Sequence, residues 1–406
     1  MEFSVYRFGD FCKMVAGGDA PKEYVLIRTK ENCYPVFSNG IENEGLYGYC
    51  DYYTMPGNTL TISARGTVGV VFYRSEPFLP IVRLIALVVD EKIADTKYIY
   101  YLLKCGKIDG YGTSQQQITI PYLKKKRIQI ISDLNKQKKI ATILSAYDNL
   151  IEINNKRIIV LEQMAENLYK EWFIRFRFPG HETTEFYESS FGRIPSFFQI
   201  VKNRDVFHYY IGGGWGNDDA DEEYSVPAFV IRGTDFPRVK KGDLSTCPLR
   251  YHKANNYSAR ELRANDIIIE VSGGTSEQPV GRALLVVPEV ITRFNGKVIC
   301  ASFCKQVRVD PTIISPVYYY YWMNYLYETR IIDRYQLQST GIVNFQFDYF
   351  LNKGDVILPP MELMRKFEGF VSPVLKQISN VASANENLIK QRDLLLPRLM
   401  SGNLEV

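Results

Sequence analysis

Two stretches of the chain carry apolar residues at spacings of four and three without interruption. In the first the seam runs Ile140, Leu144, Tyr147, Ile151, Asn154, Ile158, Leu161, Ala165, Leu168 and Trp172. In the second it runs Phe367, Val371, Val374, Ile378, Val381, Asn385, Leu388, Arg392, Leu395 and Leu399, the same spacing displaced by 227 residues. A sustained seven-residue repeat predicts long helices that bury a seam against each other or against another chain, rather than lone surface helices. If the two pair antiparallel with matched ends, the fifth seam residue of one faces the sixth of the other. That places Asn154 against Asn385, Ala165 against Val374 and Tyr147 against Arg392. A polar pair at mid-seam would set register at some cost in stability; the alternative is two unrelated asparagines solvated at the seam edge. Pro373 and Pro397 stand within the second stretch, and proline interrupts a helix interior. The second helix is therefore expected to start afresh at Ser372 and Pro373.

The segments preceding each helix also match. Residues 8–18 (FGDFCKMVAGG) resemble 204–214 (RDVFHYYIGGG), each a short opening that ends in a glycine turn. Residues 57–69 (GNTLTISARGTVG) match 264–274 (ANDIIIEVSGG), each a polar turn, an alternating strand and a glycine-rich tip. The aromatic segments 98–104 and 317–325 read as helices. Residues 112–131 and 339–359 read as a polar loop followed by a strand. The plan is domain, long helix, domain, long helix. The fold class expected is α+β: two similar β-rich domains separated by two long helices packed as an antiparallel coiled coil, with pseudo-two-fold symmetry. Its divisions are 1–134, 135–178, 179–358 and 359–406.

Composition changes this picture little. The 406 residues are 46% apolar, enough for two domains of ordinary size. The net charge is +4, which by itself announces no polyanionic partner. The 14% aromatic content suits strands and packed cores. Seven cysteines without a CxxC pair, and only three histidines, argue against a structural zinc site. An odd cysteine count without a signal peptide points to reduced thiols in the cytoplasm. No apolar run approaches the roughly 20 residues of a membrane span.

Catalytic signatures are missing. The chain has no GxxxxGK[ST] phosphate loop and no Asn-Pro-Pro-aromatic or Asp-Pro-Pro-aromatic motif. Residues 212–216 (GGGWG) lack the strand, helix and distal acid of a dinucleotide site. The acidic cluster Asp218, Asp219, Asp221, Glu222 and Glu223 suits a solvated loop better than a metal. A chain of this size without such motifs points to binding and assembly rather than to an enzyme.

Four segments, in this order and spacing, resemble the specificity subunits of type I restriction–modification systems: QKKIATIL at 137–144, ENLYKEWF at 166–173 followed by GRIP at 192–195, LLLPRLMSG at 394–402, and Phe8-Gly-Asp10 with Gly17 and Gly18. Arg204-Asp205, where the family has an apolar-Gly-Asp opening, departs from the pattern. The resemblance covers essentially the whole chain. It implies that residues 1–134 and 179–358 are target-recognition domains, one for each half of a bipartite double-stranded DNA sequence. It implies that the helices act as a ruler on which two modification subunits dock, each an adenine methyltransferase carrying S-adenosylmethionine and flipping out its target base. It implies that restriction/motor subunits using ATP and Mg²⁺ join them. No cofactor, metal or catalytic residue is expected on this chain. A different class stays open: a two-domain scaffold that binds proteins rather than DNA.

Reading base edges needs donors and acceptors on exposed tips. In the first domain these are Ser63, Arg65 and Thr67 on one tip, and Ser114, Gln115, Gln116 and Gln117 on another. Their counterparts are Ser272, Thr275, Ser276 and Gln278, then Thr340 and Asn344. Plain turn chemistry is the competing explanation for each tip. Lys124 and Lys125 suit phosphates, which position a duplex without specifying sequence; a solvated strand edge explains them equally well.

Overall fold

The computed structural model describes residues 2–106, 108, 117–274, 278–339 and 342–406. The chain divides into two compact units, Met1–Ile151 with Asn387–Val406, and Glu152–Glu386. Each division falls within a long helix.

In the first unit four antiparallel strands lie in the spatial order Cys12–Ala16, Leu84–Val89, Thr59–Ser63, Val71–Arg74. Beside them a three-stranded sheet places Tyr34–Phe37 between the antiparallel Leu46–Cys50 and the parallel Leu79–Pro80. A two-stranded pair, Phe3–Arg7 with Arg127–Ile131, closes the domain's beginning onto its end. The second unit repeats this topology strand for strand. Its four-stranded sheet runs Phe207–Gly212, Cys304–Val309, Ile267–Glu270, Ala283–Leu285. Val226–Ile231 lies between antiparallel Leu249–His252 and parallel Val298–Cys300, and Gln199–Lys202 pairs with Asp355–Leu358. Two additions distinguish it: a hairpin of Phe186–Ser189 and Gly192–Pro195, and a small sheet of Ser272–Gly274, Ile342–Phe345 and Gln336–Ser339.

The openings of the two domains are also equivalent. Asp10 caps a one-turn helix by accepting from the backbone N–H of Arg7 at 2.9 Å, and Asp205 does the same for Lys202 at 3.0 Å. The departure at Arg204-Asp205 is thus confined to the two residues before the Asp, Asn203 and Arg204, and spares the cap. The glycines that follow were expected to form a turn; close backbone approach explains them instead. A Cβ on Gly17 would stand 2.2 Å from the carbonyl oxygen of Ile81, and one on Gly213 would stand 2.2 Å from that of Ala301. The paired residues 57–69 and 264–274 differ from expectation too. Thr59–Ser63 and Ile267–Glu270 are buried at every position, because both are inner strands covered on both faces.

The long helices span Leu134–Tyr169 and Met361–Met400. In the first unit the start of one packs against the end of the other, with Ile140, Leu144, Leu399 and Met400 in a common core. Gln137 ties this end down: its amide accepts from the Asp95 N–H at 2.8 Å and donates to the Ile131 carbonyl at 2.7 Å. Arg392, expected against Tyr147, reaches the adjacent Asp148 at 2.6 Å, and Tyr101 donates its hydroxyl to the same carboxylate at 2.6 Å. Burial, with that hydrogen bond, pushes the Tyr101 phenol well above its ordinary range. In the second unit Ile158 and Leu161 pack with Ile378, Val381 and Ala382. There Asn154 Nδ2 donates to Asn385 Oδ1 at 2.8 Å, and Asn385 Nδ2 donates to Asn155 Oδ1 at 2.9 Å. The other seam positions, Ile151 and Leu388 among them, are half-buried or buried.

The expected restart at Pro373 does not occur, and the second helix runs through it. Pro373 lies on the exposed side, where the carbonyl four residues earlier, on Gly369, can turn to water. The asparagine pair permits a direct test. Asn385→Leu alone leaves Asn154 and Asn155 without their partners and should lower stability by about 1–2 kcal/mol. Asn154→Leu with Asn385→Leu should recover that loss or exceed wild type, since a polar seam position costs stability. Urea unfolding of both variants decides it; a single variant as stable as wild type removes the pair from any role in the seam.

Candidate nucleic-acid interface

The inner strand Thr59–Ser63 ends in a tip whose backbone is held by its neighbours. Ala64 N–H donates to the Arg83 carbonyl at 2.8 Å, Gly69 N–H to Ser63 at 3.0 Å, and Ile118 N–H to Ala64 at 2.9 Å. Gly66 and Gly69 take φ of +76° and +82°, a left-handed backbone that glycine adopts without strain. These bonds gather Arg65, Gly66, Thr67, Arg83 and Gln117 around one cleft of about 690 Å³, with Ile41 on its wall. Arg65 Nε donates to Gln117 Oε1 at 3.1 Å, so two tips far apart in sequence meet at their side chains.

The corresponding strand of the second unit, Ile267–Glu270, ends in the same way. Val271 N–H donates to the Phe303 carbonyl at 2.9 Å, Gly281 N–H to Glu270 at 2.9 Å, and Phe345 N–H to Val271 at 2.9 Å. Residue by residue, Arg65 corresponds to Ser272, Gln117 to Asn344, and Arg83 to Phe303. The side chains correspond as well: Ser272 Oγ donates to Asn344 Oδ1 at 2.7 Å.

The candidate residues from the sequence divide under this geometry. Arg65, Gln117, Ser272 and Asn344 come together in pairs on exposed or half-exposed tips. Ser63 is fully buried and its hydroxyl faces the Asn39 carbonyl, so it supports the tip and reaches no ligand. Thr67 donates to that same carbonyl at 2.5 Å. Gln278 turns its amide oxygen to Arg282, at 2.8 Å in the orientation that satisfies both groups. Lys124 and Lys125 occupy the last turn of a short helix, Ile120–Lys125, instead of a strand edge, and do not line the cleft. Ser114, Gln115, Gln116, Thr275, Ser276 and Thr340 lie outside the described residues.

Three contributors escaped the sequence reading. Asn39 braces the tip by donating Nδ2 to the Arg65 carbonyl at 2.7 Å; the Asn39-Gly40 dipeptide was its one available signal. Arg74 is buried over the Phe37 ring, 3.6 Å from guanidinium carbon to centroid, and holds the loop bearing Asn39 and Ile41 through the Glu44 carbonyl at 2.8 Å. Burial draws its pKa down to about 10, against the opposing charge of Glu44. Arg83 is exposed at φ +70°. In the second unit Arg282 grips Glu270 with two 2.8 Å hydrogen bonds. Burial works to lower the Arg282 pKa, but the hydrogen bonds and charge of Glu270 hold it above its ordinary value. This arginine is committed to the framework rather than to a ligand.

Residues 213–216 border a smaller cavity of about 180 Å³ with His252 and Lys253. Burial holds the His252 ring below its ordinary pKa. The neighbouring acids are tied to the framework, Asp218 to Arg250 and Glu223 to Lys253. Among the described residues no group of three or more His, Cys, Asp or Glu is placed to hold a metal, and no helix is long and apolar enough to cross a membrane.

Residues 1–163 match the family described as the type I restriction modification DNA specificity domain. Over 96% of its length the chain is 24% identical to the type I restriction enzyme MjaIX specificity subunit of Methanocaldococcus jannaschii, of which it covers 88%. It is 33% identical over 35% of its length to a putative type I specificity subunit of Mycoplasma pneumoniae, covering 42% of that protein. Its fold is similar to the crystal structure of a type I restriction–modification S subunit from M. genitalium, with a TM-score of 0.61 and 16% identity across 98% of this chain and 96% of that one.

Proposed function

We propose that the chain is a specificity subunit of a type I restriction–modification system, and that each of its two recognition domains reads one half of a bipartite duplex sequence. The observation that carries the reading is the repeated polar pair, Arg65 with Gln117 and Ser272 with Asn344, at topologically equivalent tips. Arginine, glutamine, asparagine and serine are the side chains whose donors and acceptors match base edges in the major groove. Two such tips on one chain suit two half-sites, and tethering makes the second contact effectively intramolecular.

In this reading the chain performs no bond-making. Methyl transfer to adenine belongs to two modification subunits that carry S-adenosylmethionine, and ATP and Mg²⁺ belong to restriction subunits. The long helices dock the modification subunits. On the part of the first helix that belongs to the second unit, Ile153, Val160 and Met164 stand exposed at heptad spacing, separate from the buried seam. A second apolar stripe on a helix already paired along its first suits a further helical partner.

The test is to map methylated adenines in a host expressing the chain with its modification partner. Arg65→Ala should degrade methylation at one half-site, by roughly tenfold or more for its cognate base, and leave the other half of the motif intact. A motif unchanged in both halves removes these tips from recognition. If neither wild-type complex nor isolated chain binds duplex with a steep loss of affinity in salt, the scaffold reading stands instead.

A further inference from the structure

Two domains with the same strand order allow positions to be compared within one chain. Where the framework must be kept, the residues or their roles agree: Asp10 and Asp205 cap, Gly17 and Gly213 admit a neighbouring backbone, Gly69 and Gly281 turn at positive φ. At the turn before the second strand of each sheet they do not. Arg83 and Phe303 occupy the same place, fixed by the hydrogen bonds their carbonyls accept from Ala64 and Val271, yet one is a cation and the other an aromatic hydrocarbon.

Among the described residues neither side chain has a hydrogen bond, ion pair or ring contact within the chain. Phe303 is 68% exposed, so its ring is open to a partner. Arg83 is exposed, and among the described residues its guanidinium has no ion-pair partner. Its backbone sits at φ +70°, a region that disfavours any residue with a Cβ and that glycine would occupy freely. Arg83 also lines the cleft shared by Arg65 and Gln117.

Resting on the DNA-reading function above, we propose that Arg83 and Phe303 are specificity-determining residues, equivalent in position and opposite in chemistry, that make the two half-sites different. The guanidinium of Arg83 pairs with guanine through its O6 and N7 acceptors. The ring of Phe303 has no hydrogen bond to offer and favours the methyl group of thymine. A phosphate-anchoring role is disfavoured by the same comparison, since phosphates are present in both half-sites and would call for a donor at both positions.

The experiment uses the complex with its modification partner and reads the methylated-adenine motif for wild type, Arg83→Ala, Phe303→Ala and the exchange Arg83→Phe with Phe303→Arg. Each alanine variant should relax one base requirement in its own half-site, by roughly tenfold to a hundredfold in preference, while the other half-site stays intact and reports that the chain is folded. The exchange should introduce a guanine requirement in the second half-site. Unaltered base requirements in all three variants overturn the proposal. So does a uniform fall in methylation with the motif kept, which would assign Arg83 to a phosphate. A wild-type complex with no bipartite motif at all overturns the underlying reading, and is distinguishable because it appears before any substitution is made.

Discussion

Asp266→Ala is expected to lower the stability of the second unit by about 3–5 kcal/mol, the cost of removing one partner of a buried charge pair. The carboxylate is 1% exposed. It accepts from Arg308 Nε at 2.6 Å and Nη2 at 2.9 Å, from Gln306 Nε2 at 2.8 Å and from the Arg263 N–H at 2.7 Å. Alanine leaves a guanidinium, an amide and a backbone donor with only the Glu261 carbonyl, which Gln306 and Arg308 already reach at 3.1 and 3.4 Å, to share between them. The effect should read as a lower urea midpoint with unchanged slope. Since a domain's whole stability is about 5–15 kcal/mol, such a loss would remove a large share of it. Asp266→Asn, which keeps an acceptor but also presents an N–H pair to Arg308, should fall between the two. A loss under about 1 kcal/mol for alanine would show that the cluster relaxes around water and does not hold the sheet.

The second large effect is expected at Phe367. Its ring is fully buried and meets Phe173 at 5.2 Å, Tyr321 at 5.6 Å, Tyr169 at 5.9 Å and Trp172 at 6.2 Å between centroids. These rings come from the end of the first long helix, from the turn Lys170–Ile174 that continues it and from the aromatic helix Pro316–Glu328, so Phe367, on the second long helix, joins these elements of the second unit at one point. Phe367→Ala should cost about 3–5 kcal/mol through lost contacts and the cavity left behind. Phe367→Leu, which fills more of the space, should cost less. Thermal unfolding of the two variants checks the order; equal losses would mean that ring geometry rather than volume is decisive. In cells the alanine variant should reduce methylation at both half-sites together, unlike Arg65→Ala.

Much of the architecture was legible because it is periodic. Seven-residue spacing marked both helices, and the two asparagines marked how their seams meet within the second unit. The repeat of 57–69 in 264–274 located the inner strands and the tips that follow them. Pro373 was misread because propensity is judged locally, whereas the helix runs through it with Pro373 and Gly369 on its exposed side. Ser63 was misread because the sequence shows a hydroxyl near a glycine turn but not that the strand carrying it is covered on both faces.

The site was legible only in part. Arg65, Gln117, Ser272 and Asn344 could be named from composition and turn context, but not their pairing, since the partners are 52 and 72 residues apart. Arg83 and Phe303 carry no local signal.

The sequence by itself determined the periodic features: two seams, two copies of one domain plan, and polar tips following inner strands. These depend on the identities of near neighbours, whose spacing alone decides which face is apolar. Only the tertiary structure decided which tips converge, that Gly17 and Gly213 admit a crossing backbone, and that Arg83 and Phe303 share one position. Such features depend on strand order and on carbonyls contributed from distant segments, and the free energy that selects them belongs to the assembled domain rather than to any window of the chain.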